Sequence, residues 1–331
     1  MSPEHARRRA SWRGTLSTGL AVLLVVVVFV ACGNQATPTP AAVVSPSPSA
    51  LPTASTTPSP SPTPEPTPEP YNEELLGNRF TVLVVGEDVS AARRARGYIG
   101  DNTDAMMVVS VSADQKDVVM LSLPRDVVDV PLGDGRTWTG KVNAIANSHG
   151  VDGLRKAMSA LLDIEIPYYV KVNMDDFVAL VDAVGGIKVN VQTVVREDRW
   201  GLYLEPGPAH LDGQRALYFS RARYFDSDYA RAARQQQVVR ALARKYTNRN
   251  TDIDFGQLLP TLVGLDTNLD LGDLRTLMVL AKRAARADYV AEVLMPPQFA
   301  LDWGDQGDGR GWVIIPNVDA MRARVHALLE D

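Results

Sequence analysis

The sequence predicts an α/β protein built as a sandwich, one central sheet with helices on both faces. Two observations carry this expectation. From Tyr71 onward, short runs rich in Val, Ile and Met alternate with stretches of helical periodicity, the order that builds layered α/β domains. Two of those runs, 80–85 and 118–123, are almost continuously apolar, as strands covered on both faces are. Strands are expected at 80–85, 106–111, 118–123, 168–172 and 187–191. Helices are expected at 142–148, 153–162, 175–184, 213–218, 226–245 and 271–287, with an amphipathic one at 318–329. Asp175 and Asp176 place carboxylates at the positive end of their helix, and Gly185-Gly186 ends it. The Gly- and Asp-rich stretch 303–312 misses EF-hand spacing and reads as a loop. Asp266 to Asn268 could divide off a smaller C-terminal portion, but no proper linker stands there.

The first 70 residues are not globular. Arg7, Arg8, Arg9 and Arg13 precede an apolar run ending at Ala31, followed by Cys32. Basic flank, apolar stretch and a small residue before cysteine fit an export signal whose arginines stay in the cytoplasm. Phe29-Val30-Ala31-Cys32 resembles a lipoprotein cleavage box, with Cys32 as the lipidation site. An uncleaved signal anchor is the other reading, the run being at the short limit for crossing a bilayer. Both put the remainder on the extracytoplasmic face of the cell membrane. Cys32 is the only cysteine, which excludes a disulfide framework and a cysteine-rich metal site. Residues 35–70 then hold 12 of the 22 prolines, alternating with Ser, Thr and Glu. Such a spacer cannot bury a core, and at about 3.1 Å per residue it reaches up to roughly 110 Å. Thirty-four basic against 39 acidic residues leave a net charge of −5, which argues against a nucleic-acid partner.

Charged residues mark where chemistry is expected. On a helix over 226–245, Asp228, Arg231 and Gln235 share a face with Val238, Val239 and Leu242, while Gln236, Gln237, Arg240 and Arg244 fall on the opposite, solvent side. A carboxylate, a guanidinium and an amide on the core side are costly unless they serve a site or pair with each other. An internal Asp228–Arg231 bridge is the structural alternative. Arg221 and Arg223, two apart, would share one face of an extended segment. Arg125 directly follows an apolar strand, where α/β folds place ligand sites. Four convergent arginines suit an anion of several charges, phosphate or pyrophosphate. Asp88 ends the first strand and Asp104 opens the second; carboxylates beside a pyrophosphate are the usual protein ligands of Mg²⁺, although aspartate at a strand edge also serves turns.

VVGED, TDAMMVVSV, LSLPRD, KVNAIANSHG, VDAVGGIKVNV and LDGQRALYFSRARYFDSDYARAARQQQVV, in that order, resemble the LytR-CpsA-Psr family of wall-polymer ligases over most of residues 80–245. Arg221, Arg223, Asp228, Arg231 and Gln235 match positions of its most specific motif. The resemblance implies an α/β/α fold with a central mixed sheet and an apolar lipid pocket. It divides the chain into a signal or anchor (1–32), a linker (33–72), a catalytic domain (73–250) and a C-terminal α/β extension packed on that domain (251–331). It also implies a Mg²⁺-dependent phosphotransferase that moves a glycopolymer from a polyprenyl-pyrophosphate carrier to a peptidoglycan acceptor. Asp88 and Asp104 would hold the metal or orient phosphates, and Arg125, Arg221, Arg223 and Arg231 would bind the pyrophosphate. Asp228 and Gln235 would position those arginines, and Lys141 and Asn143 would line the phosphate site. Asn102 stands where relatives often carry arginine. Rival readings are a polyprenyl-pyrophosphate phosphatase and a non-catalytic carrier-binding protein. A transcriptional regulator fits neither the export signal nor the acidic charge.

Overall fold

The computed structural model describes residues 71–97, 102–223, 227–248, 251, 254–269 and 274–330. The expected export signal, Cys32 and the expected spacer as far as residue 70 lie outside the described residues, as do Asp226 and residues 271–273 at the starts of two expected helices. Among the described residues, no helix is long and apolar enough to cross a membrane.

The centre is a six-stranded mixed sheet. Its middle is three strands, β1 (Phe80–Glu87), β2 (Thr103–Val111) and β3 (Asp117–Ser122), joined antiparallel. Tyr168–Val172 runs parallel beside β1 and Asp266–Thr267 closes that edge; Asp288–Val293 runs parallel beside β3 and closes the other. Alternation sends Phe80, Val82 and Val84 to one face and Leu83 and Val85 to the other, which is why β1 reads as a continuous apolar run. Helices Met174–Asp182, Gly213–Arg221, Asp228–Thr247, Phe255–Val263 and Leu274–Ala284 cover the first face. Helices Ile145–Leu162 and Val318–Leu329 cover the second, giving the α/β/α sandwich.

Several expectations are corrected. The strand Ile187–Val191 forms where expected but leaves the main sheet and pairs antiparallel with Gly207–Leu211. Its Lys188 and Asn190 are exposed between buried neighbours, a pattern suited to one covered face. The two helices expected at 142–148 and 153–162 do form, meeting within Ile145–Leu162 at a break where Gly150 has a φ of 70°, but the first opens with a 3₁₀ turn, Val142–Ala144. The stretch 303–312 is not simply a loop: Ala300–Asp305 and Trp312–Pro316 pair antiparallel, and only the tip is a turn. On the long helix, Gln236 faces inward and is buried, donating to Ser122 Oγ (3.0 Å) and to the carbonyl of Glu292 (2.8 Å). The helix crosses β3 and the edge strand beyond it, so a side chain assigned to solvent by periodicity meets a second layer of backbone.

Candidate functional site

The antiparallel pairing of β1 and β2 brings the end of one to the start of the other, so Asp88 and Asp104 arrive at the same end of the sheet. The approach is close: a Cβ on Gly86 would lie 2.9 Å from that of Ala105, and the register slips between Gly86 and Glu87. Ser90 caps the short helix Ala91–Ala95, which presents Arg93 to Asp88. At the end of β3 the chain turns through Pro124 and sets Arg125 beside the same carboxylates. Ser227 caps the long helix, starting it with Asp228 over that strand end.

Two linked ion clusters result. Asp88 is clamped from both sides, Oδ1 accepting from Arg221 Nη2 at 2.6 Å and Oδ2 lying 2.6 Å from Arg93 Nη1. Arg221 also lies over the Trp200 ring at 4.8 Å, and Trp200 stacks on Tyr218. In the second cluster, Asp228 meets three guanidinium groups, Arg223 Nε at 2.9 Å, Arg125 Nε at 3.3 Å and Arg231 Nη2 at 3.6 Å. Asp104 accepts from Arg125 Nη1 at 2.9 Å, and its carbonyl accepts from Arg231 Nη2 at 3.3 Å. Arg125 Nε and Arg231 Nε are buried and make no hydrogen bond, although Arg125 Nε keeps ion contacts with Asp228 and Asp126. Burial pulls the Arg231 guanidinium below its ordinary value, and Arg125 and Arg223 press the same way against Asp228 and Asp104. Burial alone would lower Arg125 too, but Asp104, Asp228 and Asp126 outweigh it and raise it.

The remaining expected residues sit one step out. Lys141 pairs with Asp126 at 2.7 Å, and Asp126 is 3.5 Å from Arg125 Nε. Asn143 acts through its backbone, its carbonyl accepting from Thr103 Oγ1 and its amide donating to the Arg125 carbonyl. Gln235 donates to the Ser220 carbonyl at 3.3 Å and touches the backbone beside Arg221 rather than a guanidinium. Arg221 and Arg223 do not share an extended face: the helix runs through Arg221, Ala222 turns the chain out, and the two forks serve different carboxylates. Asn102 accepts from Asn147 at 2.8 Å, a contact between two neutral amides.

Sequence reasoning missed Arg93, Asp126, Trp200, Glu197 and Arg234. Buried Glu197 accepts from the Arg223 amide, and buried Arg234 donates to the carbonyls of Phe219 and Ala222, satisfying the end of the helix that carries Arg221. Arg234 lies three residues after Arg231 on the long helix, and that spacing was the available signal.

Below the clusters, between the sheet and three helices, lies a cavity of about 120 Å³ walled by Val84, Met107, Phe177, Leu217, Val239 and Leu242. Asp88, Asp104, Arg221 and Gln235 belong to the same wall, so apolar space and the charged groups are continuous.

Residues 54–298 match the LytR_cpsA_psr family. The chain belongs to this family. Biofilm regulatory protein A of Streptococcus mutans is 31% identical over 206 residues, which is 58% of this chain and 50% of that protein. A Bacillus cereus protein called polyisoprenyl-teichoic acid–peptidoglycan teichoic acid transferase TagU is 30% identical over 192 residues, 57% of this chain and 60% of that protein. Among solved structures, TagT bound to LIIa-WTA superposes with a TM-score of 0.58 at 25% identity, covering 76% of this chain and 90% of that one. The chain thus spans 50% to 60% of the length of these curated relatives. Its mixed sheet and two helical layers are the family's fold.

Proposed function

We propose that the chain is a phosphotransferase that moves a glycopolymer from a polyprenyl-pyrophosphate carrier to peptidoglycan, leaving a phosphodiester link. One observation carries the reading: an apolar cavity runs directly into a wall bearing Asp88, Asp104 and Arg221, with three further arginines alongside. A substrate fitting both parts has a hydrocarbon tail and a head of several negative charges, as a lipid pyrophosphate has. The names of the relatives, a teichoic acid transferase and a structure bound to a wall teichoic acid ligand, support the same chemistry.

In this reading the tail enters among Val84, Phe177 and Leu242, and Arg221, Arg223, Arg125 and Arg231 receive the pyrophosphate. An acceptor hydroxyl oxygen attacks the polymer-side phosphorus, and the bond from that phosphorus to the bridging oxygen breaks. Polyprenyl phosphate leaves with the bonding electron pair, and the hydroxyl proton ends on it. Preorganised guanidinium groups stabilise the charge moving onto the bridging oxygen at no reorganisation cost. Asp228 holds three of them apart and aimed.

Mg²⁺ fits Asp88 and Asp104. No cluster of three or more His, Cys, Asp or Glu suited to a metal occurs among the described residues. An ion that takes one or two carboxylates and completes its shell with phosphate oxygens and water needs only these two. When bound it would neutralise phosphate charge, and Arg93, Arg221 and Arg125, which now hold the two carboxylates, would yield part of that contact. The N-terminal segment would tether the domain to the outer face of the cell membrane through lipidated Cys32 or an uncleaved anchor.

The test incubates the purified chain with a polyprenyl-pyrophosphate saccharide, with Mg²⁺ or with chelator, and with or without peptidoglycan. Expected is Mg²⁺-dependent release of polyprenyl phosphate, saccharide appearing on peptidoglycan, and a loss of about 100-fold or more in Arg221→Ala. Lipid bound but never released would make the protein a carrier-binding module. Release unaffected by peptidoglycan, with free sugar phosphate as product, would make it a phosphatase.

A further inference from the structure

The hairpin formed by Ala300–Asp305 and Trp312–Pro316 has no role in the chemistry above, yet its second strand is bonded to the segment that carries Arg125. The Ile314 amide donates to the Asp126 carbonyl at 3.0 Å, and the Val128 amide donates to the Ile314 carbonyl at 3.1 Å. Ile314 bridges Val127 in the parallel sense, so Trp312 stands two residues before the point where the hairpin joins the segment that follows Arg125. The tip is fixed as well, Arg310 Nη1 donating to the Asp129 carboxylate and to the Thr139 carbonyl, two residues before Lys141. The hairpin is therefore a fixed extension of the candidate site.

Its surface is unusual for a part with no partner. Pairing sets Trp303 opposite Ile314 and Asp305 opposite Trp312, so the two indoles lie diagonally on one face of the ribbon, each beside Asp305 and the buried Ile314. Each is 45% exposed: half-buried, hence held, with the other half free. The segment carries Asp302, Asp305 and Asp308 against a single Arg310, whose guanidinium is already paired with Asp308 and Asp129. Flat indoles offer a surface to the C–H faces of sugar rings, and nearby carboxylates accept from sugar hydroxyls. The local negative charge disfavours a phosphate-rich chain, so the platform suits the acceptor rather than the donor polymer.

We propose that this hairpin is where the acceptor's glycan strand lies, Trp303 and Trp312 stacking on successive sugar rings and delivering a hydroxyl toward Arg125. The proposal rests on the transferase reading and adds the location of the second substrate. It is tested by binding alone, with no donor and no turnover, so its failure is separable from failure of that reading.

The full chain is titrated with peptidoglycan glycan strands stripped of attached phosphopolymer. Acrylamide quenching of the wild-type tryptophans should fall as strands are added, and a soluble glycerol-phosphate polymer should give no such protection. Trp303→Ala/Trp312→Ala should weaken strand binding about tenfold or more, as truncating aromatic anchors does, whereas Trp303→Phe/Trp312→Phe should retain most of it. Arg221→Ala, which removes a donor-site group, should bind strands as the wild type does. Unprotected wild-type tryptophans, or equal binding by the wild type and the alanine pair, would overturn the proposal.

Discussion

Replacing Asp228 with asparagine keeps the shape of the second ion cluster and removes one charge from its middle. Three guanidinium nitrogens lie 2.9, 3.3 and 3.6 Å from its carboxylate oxygens. At an effective dielectric near 20, a pair about 4 Å apart attracts by about 4 kcal/mol before desolvation is charged against it. Arg223 is 43% exposed, so its share shrinks to under about 1 kcal/mol. Arg125 and Arg231 are more buried, and Arg231, at 6% side-chain exposure, has nowhere to rehydrate. Breaking a fully buried pair costs about 3–5 kcal/mol; with Asp228 still 23% exposed, we expect a loss of about 2–3 kcal/mol. For a domain of this size that lowers Tm by roughly 5–10 °C. The variant also has one more uncompensated positive charge, so pyrophosphate should raise its Tm more than that of the wild type; saturation at about 100 times Kd is worth about 2.7 kcal/mol. Thermal unfolding with and without pyrophosphate measures both. An unchanged Tm together with an equal pyrophosphate shift would refute the reasoning and reduce Asp228 to an ordinary surface ion pair.

Three further outcomes are expected. Val239→Phe, which fills the apolar cavity, should abolish binding of polyprenyl phosphate while soluble pyrophosphate still binds, as equilibrium dialysis would show. Gly213→Ala should destabilise by about 2–4 kcal/mol in urea unfolding, because its Cβ would lie 2.3 Å from the Val178 carbonyl oxygen. Lys171→Met removes the ammonium 3.0 Å from buried Glu87, leaving it the more distant Arg94 at 3.7 Å, and should cost about 1–3 kcal/mol. Burial by itself would lower the Lys171 ammonium, but Glu87 and Asp266 outweigh it and raise it. The stability it gives is therefore complete below the unfolded lysine value and lost as pH rises through the raised folded value, so the difference between wild type and variant should narrow only in strongly alkaline solution.

Much of the fold was legible because it rests on short-range patterns. A strand covered on both faces is apolar at nearly every step, as β1 is from Val82 to Val85 and β3 from Val118 to Leu121. The helix carrying Asp228, Arg231 and Gln235 could be divided into faces because its period is fixed by backbone hydrogen bonds. Where a second layer intervened, that logic failed. Gln236 was assigned to water but meets the carbonyls of β3 and of the edge strand beyond it. That edge strand, Asp288–Val293, was unforeseen because its mostly exposed or half-buried positions lack the apolar signal of a central strand.

The sequence by itself determined that charged residues stand at strand ends and on an apolar helix face, since local spacing and the cost of burying charge need no knowledge of the rest of the chain. Only the tertiary structure decided which carboxylate meets which arginine. Arg221 reaches Asp88 across 133 positions and Arg125 reaches Asp104 across 21, and Arg93 completes the clamp on Asp88. Such partners are chosen by how sheet register and helix crossing bring distant backbone together, and no periodicity along the chain records that choice.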